Sequence, residues 1–359
     1  MTKKRRNSRY LKDVINYNFN AQTFKNYKDS TDAIIQLWTE VANRIAKYAD
    51  SELRRAIREI PLGPSLNNTH RFNAQMIGLK DLDCGAIFFD EQLFVVTDSI
   101  TAIFCSNAYL AHKIHSRNPE TATIELQDIL LGGWNSTEVP PFKPALKIIK
   151  VVESQQTYHP NDRQLPKELL QEFSSSFSKP YPYQDKTDRY CGLIRTLVAS
   201  HEISHYLLGH SDVFPSSTAA STHAQSIVDD LLSNFTVPNL DTELIKKNIE
   251  IHCDVLGIYL TIKSIGISTV APAHYPRVAF DLYFSARCLA DSLKVMAGNI
   301  PAQPQMDTVT HPHPDIRFLA MSHAINRTLY PVELPEKKKL MVDQLSYLAQ
   351  TSIINYLTL

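Results

Sequence analysis

Residues Thr196-Leu197-Val198-Ala199-Ser200-His201-Glu202-Ile203-Ser204-His205-Tyr206-Leu207-Leu208-Gly209 decide how the rest of this chain is read. His201, Glu202 and His205 form H-E-x-x-H. On a helix, positions i and i+4 lie on one face, so two neutral imidazoles at that spacing can bind one Zn²⁺. Glu202 sits beside them as an acceptor for the proton of an attacking water. Leu197, Val198, Leu207 and Leu208 supply packing surface for the helix, and Gly209 supplies its C-terminal stop. By chance alone the motif arises in a chain this long on the order of one time in a hundred, so a bland helix face with two histidines is the competing reading.

The third ligand is sought downstream. A metzincin pattern places a glycine and a histidine at fixed positions after the motif. Those positions hold Leu208 and Ser211, one residue off Gly209 and His210, so that pattern fails. Glu250-Ile251-His252-Cys253-Asp254 lies on a strongly apolar predicted helix. Glu250 and Asp254 share a face, and Gly257 falls on the same face, where it would let two helices approach closely. Glu250 as a zinc ligand, with Asp254 bonding the free N–H of a ligating histidine, explains two inward acids. A solvated stripe of an amphipathic helix is the plainer alternative. His252 points about 200° away from Glu250. Cys253 lies nearer the inward face and stays open as a donor of a His₂Cys site. The segment Thr310-His311-Pro312-His313-Pro314-Asp315-Ile316-Arg317 reads by itself as a turn opening a helix.

In order, H-E-x-x-H, E-x-x-x-D and T-H-P-x-x-x-x-R resemble the signature of the gluzincin peptidases of the HtpX heat-shock and CAAX prenyl protease type, and of the Lit-type phage-exclusion peptidases. The resemblance covers about residues 190–325. It implies His201, His205 and Glu250 as metal ligands for one zinc per chain, and Glu202 as general base. It also implies Asp254 as the partner of a ligand histidine and Arg317 as an anchor of the Glu250–Asp254 helix. His311 is either an oxyanion-stabilising catalytic group or a helix cap. The implied activity is hydrolysis of peptide bonds in an intracellular protein, with a phage-defence or toxin-like role by analogy. His201–His210 also resembles the ImmA/IrrE regulatory peptidases, which gives the alternative of a zinc-binding regulatory or interaction protein. A purely helical interaction protein without metal is the third reading.

The remainder of the chain sets the frame. Of its 359 residues 43% are hydrophobic and 21% charged, an ordinary globular balance with ample length for a core. The formal net charge is zero, which gives no reason to expect nucleic acid or an anionic membrane as partner. A protein or peptide substrate is the expected partner, and the oligomeric state is left open. Ten glycines form no phosphate-cradling loop. Five widely spaced cysteines without a C-x-x-C pair suggest free thiols and a cytoplasmic setting. The basic start Met1-Thr2-Lys3-Lys4-Arg5-Arg6 is not followed by an apolar run, so it does not read as a signal peptide. No uninterrupted apolar stretch of about 18 residues is found, so no membrane helix is expected.

The expected fold class is α+β, a mostly helical zincin-like peptidase with a small sheet upstream of the active-site helix. Residues 1–65 are read as an N-terminal extension with one long helix. Residues 66–359 are read as the peptidase domain: a strand-containing part over 66–160, a helical zinc-site core over 161–330 and a C-terminal helix over 331–359. Strands are expected at 85–89, 93–97 and 147–152, the first two as a hairpin. Helices are expected at 166–177, 187–208, 222–235, 241–264, 276–297, 312–328 and 335–356.

Overall fold

The computed structural model describes residues 40–59, 62–67, 74–79, 84–117, 140–154, 166–210, 216–236, 247–265, 277, 279–283 and 314–329. Within them run α1 (40–48), α2 (Ser51–Glu59), β1 (Leu62–Asn67), β2 (Ala74–Leu79), β3 (Cys84–Asp90) and α3 (Glu91–Arg117). They are followed by α4 (Phe142–Ser154), α5 (Lys167–Phe177), α6 (Gln184–Leu207), α7 (Thr218–Leu232), α8 (Ile249–Ser264) and α9 (Pro314–Leu329).

The chain forms two compact units. The first draws its described residues from the segment up to Leu93, from Thr196–Val270 and from Pro304–Val332. The second draws them from Phe94–Arg195 and Ala271–Gln303. The first unit is the one that matters for the site. In it α7 packs on α2, α8 and α9, and α8 packs on α9. The apolar spacing explains this. α9 buries Ile316, Ala320, Met321, Ala324 and Ile325, and α7 buries Ala220, Ala224, Val228, Leu231 and Leu232, each a stripe of helical period. α8 has no solvated stripe: from Ile251 to Leu256 every residue is buried, the polar ones included. Ser217 caps α7 by accepting from the amide of Ala220, and Asn248 caps α8 by accepting from the amides of Glu250 and Ile251.

In the second unit α4 packs on α5, with an exposed pair between Lys147 and Glu172 at 2.9 Å. Arg195 reaches Asp98 on α3 at 2.5 Å and also lies over the Phe94 ring. The ring of Phe104 meets that of Tyr190 edge-on at 5.9 Å.

The expected α+β class requires correction, because the described chain is overwhelmingly helical. Residues 93–97 and 147–152 are not strands but parts of α3 and α4. No hairpin turns at 90–92 either, since β3 runs straight into α3 at Glu91. The reason is periodicity over a longer window. In α4 the buried residues Phe142, Ala145, Ile148 and Ile149 follow helical spacing, with Lys143, Lys147 and Lys150 exposed between them. In α3 Leu93, Val96, Ile100, Ile103 and Phe104 do the same. The buried hydroxyls of α3 are satisfied within the helix, as Thr101 donates to the carbonyl of Thr97 and Ser106 to that of Ala102. Of the three expected strands only 85–89 lies in a ladder, and its partners come from residues read otherwise. β3 pairs parallel with β1 and antiparallel with β2 in the order β1-β3-β2, with Pro64 opposite Ile87 and Met76 opposite Ile87 from the other side.

The window Leu93–Leu110 of α3 has the length and apolarity of a membrane span, but 72% of it is buried inside the protein. The expected helices at 166–177, 187–208, 222–235, 241–264 and 312–328 correspond to α5, α6, α7, α8 and α9, with α8 beginning only at Ile249 because Asn248 caps it. The helix expected at 335–356 lies outside the described residues.

Candidate metal centre

The H-E-x-x-H stretch lies on α6, as its spacing requires. Leu197, Val198, Ile203 and Leu207 are buried and hold the helix in the core. The helix ends in a hydrogen-bonded reversal at Gly209. The amide of His210 donates to the carbonyl of His205 at 3.0 Å, and that of Gly209 donates to Tyr206 at 3.1 Å. These are the two bonds of a Schellman cap, and Gly209 takes the left-handed φ of 72° that the cap demands.

α8 presents the acidic half of the site. Its Asn248 cap fixes Glu250 in the first turn, where the helix dipole favours a carboxylate. Two turns further on, Gly257 allows α8 to touch α6 backbone to backbone. A Cβ there would lie 3.0 Å from the backbone nitrogen and 3.1 Å from the Cα of His201. One turn beyond, the buried Thr261 hydroxyl donates to the Gly257 carbonyl at 2.7 Å and lies 3.1 Å from the Ser200 hydroxyl on α6. The sequence expectation for Gly257 is met by this approach.

Three donors converge at the crossing. Nε2 of His201 lies 3.5 Å from Oε2 of Glu250, and Nε2 of His205 lies 3.6 Å from Oε1. A tetrahedral zinc with bonds of about 2.0–2.1 Å needs ligand atoms about 3.3–3.4 Å apart. The donor set His₂Glu therefore suits a small divalent cation in chemistry and in the two distances to Glu250, and the three residues could hold a metal ion. The side chains are 12% exposed at His201 and 16% at His205 and Glu250, so water can reach the centre.

Behind His201 stands a chain of supports. Its Nδ1 lies 2.8 Å from Oδ1 of Asp254. A carboxylate only accepts, so Nδ1 carries a hydrogen, which leaves Nε2, on the Glu250 side, as the nitrogen that could ligate a cation after giving up its proton. Asp254 is nearly inaccessible, and Arg317 of α9 clamps it with Nε at 2.6 Å from Oδ2 and Nη2 at 2.8 Å from Oδ1. The same guanidinium lies 3.6 Å from Glu250. One side chain of α9 thus holds both acids of α8.

The electrostatics follow from this layout. Burial works against the charge on Asp254, yet Arg317 and His201 hold its carboxyl below the usual range. Burial likewise opposes the charge on Glu250, and His201 and Arg317 overcome it. Burial depresses His201, but Asp254 and Glu250 raise it to about 10. Burial and the neighbouring His201 push His205 down to about 3. A divalent cation among the three donors would replace the proton shared between His201 and its acids.

The expected site residues divide as follows. His201, His205, Glu250, Asp254 and Arg317 are brought together. Glu202 is buried beside them on α6. His311 lies outside the described residues. The alternative in which Cys253 joins both histidines of the motif is not the arrangement found. Cys253 instead belongs to a second group of three donors with His205 and His210. Its Sγ is 3.4 Å from Nδ1 of His210, and burial pushes its thiol well above the ordinary range. The ring of His210 is 5.7 Å from that of His205 and 6.4 Å from that of His252. Burial and His252 lower His210 to about 4. Sequence reading passed over His210, although the signal was there: a Schellman cap on Gly209 folds the next residue back over the turn that carries His205. Protein-family models, curated proteins and solved structures were all compared with the chain, and none matches it.

Proposed function

We propose that this chain is a zinc-dependent endopeptidase, with His201, His205 and Glu250 as ligands and Glu202 as general base. The observation that carries the reading is the Arg317–Asp254–His201 relay, which fixes the tautomer and aim of a ligand histidine. A helix face with two idle histidines has no use for a buried carboxylate and a guanidinium behind one of them. Zinc, when bound, supplies a Lewis acid that polarises a peptide carbonyl and makes water acidic enough to attack at neutral pH. The role of Glu202 is to take the proton from the attacking water on its carboxylate and return it to the leaving amine. Asp254, held by Arg317, keeps a hydrogen on Nδ1 of His201 and so leaves Nε2 to the cation, and Asn248 keeps Glu250 at the first turn of α8. The peptide class of substrate is taken from the resemblance to gluzincins, as is the intracellular target.

The test compares proteomes of cells expressing the wild type and Glu202→Gln for new protein termini. A defined set of termini that appears only with the wild type supports the proposal. Identical termini in both, from a wild-type chain that retains zinc, would overturn it in favour of a zinc-holding regulatory protein.

A further inference from the structure

We propose that His205, His210 and Cys253 form a second, thiol-containing metal position, which takes a soft cation such as Cd²⁺ or Cu⁺ and competes with the His201–Glu250 centre for His205. The three donor atoms lie together as a group, within 4.8 Å of one another. The one pair whose separation is fixed most directly, Cys253 Sγ and His210 Nδ1, stands 3.4 Å apart. A tetrahedral ion with bonds of zinc length, about 2.3 Å to sulfur and about 2.0–2.1 Å to nitrogen, needs about 3.5–3.6 Å, and the larger Cd²⁺ requires the pair to open slightly further. The placement is also over-determined by the backbone. The Schellman bond from the His210 amide to the His205 carbonyl sets the two imidazoles on the same turn, and the α6–α8 crossing at Gly257 brings Cys253 against them.

Donor chemistry separates the two positions. Two imidazoles and a carboxylate suit zinc, whereas exchanging the carboxylate for a thiolate, itself a good zinc ligand, shifts the preference toward softer ions. A neutral imidazole has one nitrogen lone pair to give, so His205 serves one cation at a time. An ion held by Cys253 and His210 therefore withdraws His205 from the carboxylate centre. Metal binding here does not depend on the hydrolytic reading. Only its consequence, loss of turnover in the presence of a soft metal, rests on that reading.

The experiment uses the full-length chain, with Cd²⁺ as probe. Bound metal is measured by equilibrium dialysis, and the thiolate-to-cadmium charge-transfer absorption is followed in the ultraviolet. The wild type should bind about one Cd²⁺ with a strong band, and Cd²⁺ should displace bound Zn²⁺ one for one. Cys253→Ser should lose the band. His210→Gln, at the half-buried rim, should weaken cadmium binding by more than the ~10–100-fold typical of an outer-sphere loss. Glu250→Gln should keep the band. Cadmium binding by the wild type without a band, a band that survives in Cys253→Ser, or a band lost in Glu250→Gln would each overturn the site. Simultaneous retention of both ions would overturn the competition. The melting transition of each variant identifies any that has not folded. His210→Gln then tests the site without altering the packed α8. Because absorption and bound metal are read, a negative result here leaves the peptidase proposal to its own assay.

Discussion

A methyl group on Gly257 would lie 3.0 Å from the backbone nitrogen of His201. That nitrogen belongs to a helix backbone, and it cannot swing aside as a long side chain would. Gly257→Ala must therefore push α8 away from α6, and with it Glu250 away from the two histidines. Overpacking of this kind costs ~1–3 kcal/mol. The expected outcome is a lower denaturant midpoint and weaker zinc binding together. A variant with unchanged zinc affinity would show that the crossing does not set the donor spacing.

Asp254 and Arg317 separate orientation from charge. Asp254→Asn keeps the shape but turns an acceptor of His201 Nδ1–H into a neutral amide, and leaves Arg317 with only the Glu250 carboxylate, 3.6 Å away. Zinc affinity should fall by ~10–100-fold, as when the hydrogen-bond partner of a ligand histidine is lost. Arg317→Met strands Asp254, whose side chain is only 3% exposed, and removing one member of a buried pair costs ~3–5 kcal/mol. This variant should lose stability as well as zinc, measured by urea unfolding and dialysis. Equal stability of Arg317→Met and the wild type would mean that the clamp is idle.

The legible part of this site was the part carried by helical periodicity. H-E-x-x-H and E-x-x-x-D each encode a face, so spacing alone puts His201 with His205, and Glu250 with Asp254 and Gly257, on shared faces, while it left Cys253 open as a donor. Arg317 reached the list only through a resemblance, because nothing local says which carboxylate a guanidinium in a distant helix will meet. The strands expected at 93–97 and 147–152 failed for a related reason. A five- or six-residue β-branched run fits a buried helix as well as a strand, and only the longer spacing of Phe142, Ala145, Ile148 and Ile149 tells them apart. His210 was overlooked because a residue past the end of a helix has no periodicity to read.

The assignment of Glu250 over Cys253 predicts an asymmetry in zinc retention. Glu250→Ala removes the carboxylate whose oxygens lie 3.5 Å from Nε2 of His201 and 3.6 Å from Nε2 of His205. It should lose most of its zinc and all of its turnover. Cys253→Ala leaves those donors intact and should keep about one zinc per chain. Elemental analysis after dialysis decides it. Zinc lost from Cys253→Ala and retained in Glu250→Ala would move the centre to the His205–His210–Cys253 group.

Gly209 gives the most selective test of how the end of α6 is built. Its φ of 72° lies in the left-handed region, where a Cβ costs about 1–2 kcal/mol. Among the described residues space is not the obstacle, since an added Cβ would meet the Ser221 hydroxyl at an ordinary 3.5 Å. Gly209→Ala should therefore destabilise by about 1–2 kcal/mol, and Gly209→Asn by less, because asparagine tolerates this conformation better. The two variants should also divide the two proposed metal positions. Fraying the cap releases the bond from the His210 amide to the His205 carbonyl, so His210 loses its place over the turn. His201, His205 and Glu250 are fixed by the helix interior and the α6–α8 crossing, and keep theirs. Zinc binding should then stay near the wild-type value in Gly209→Ala while the cadmium–thiolate absorption weakens, with Gly209→Asn between. Equal loss of both would show that the cap supports the whole end of α6, and that His210 is not placed independently of the zinc ligands.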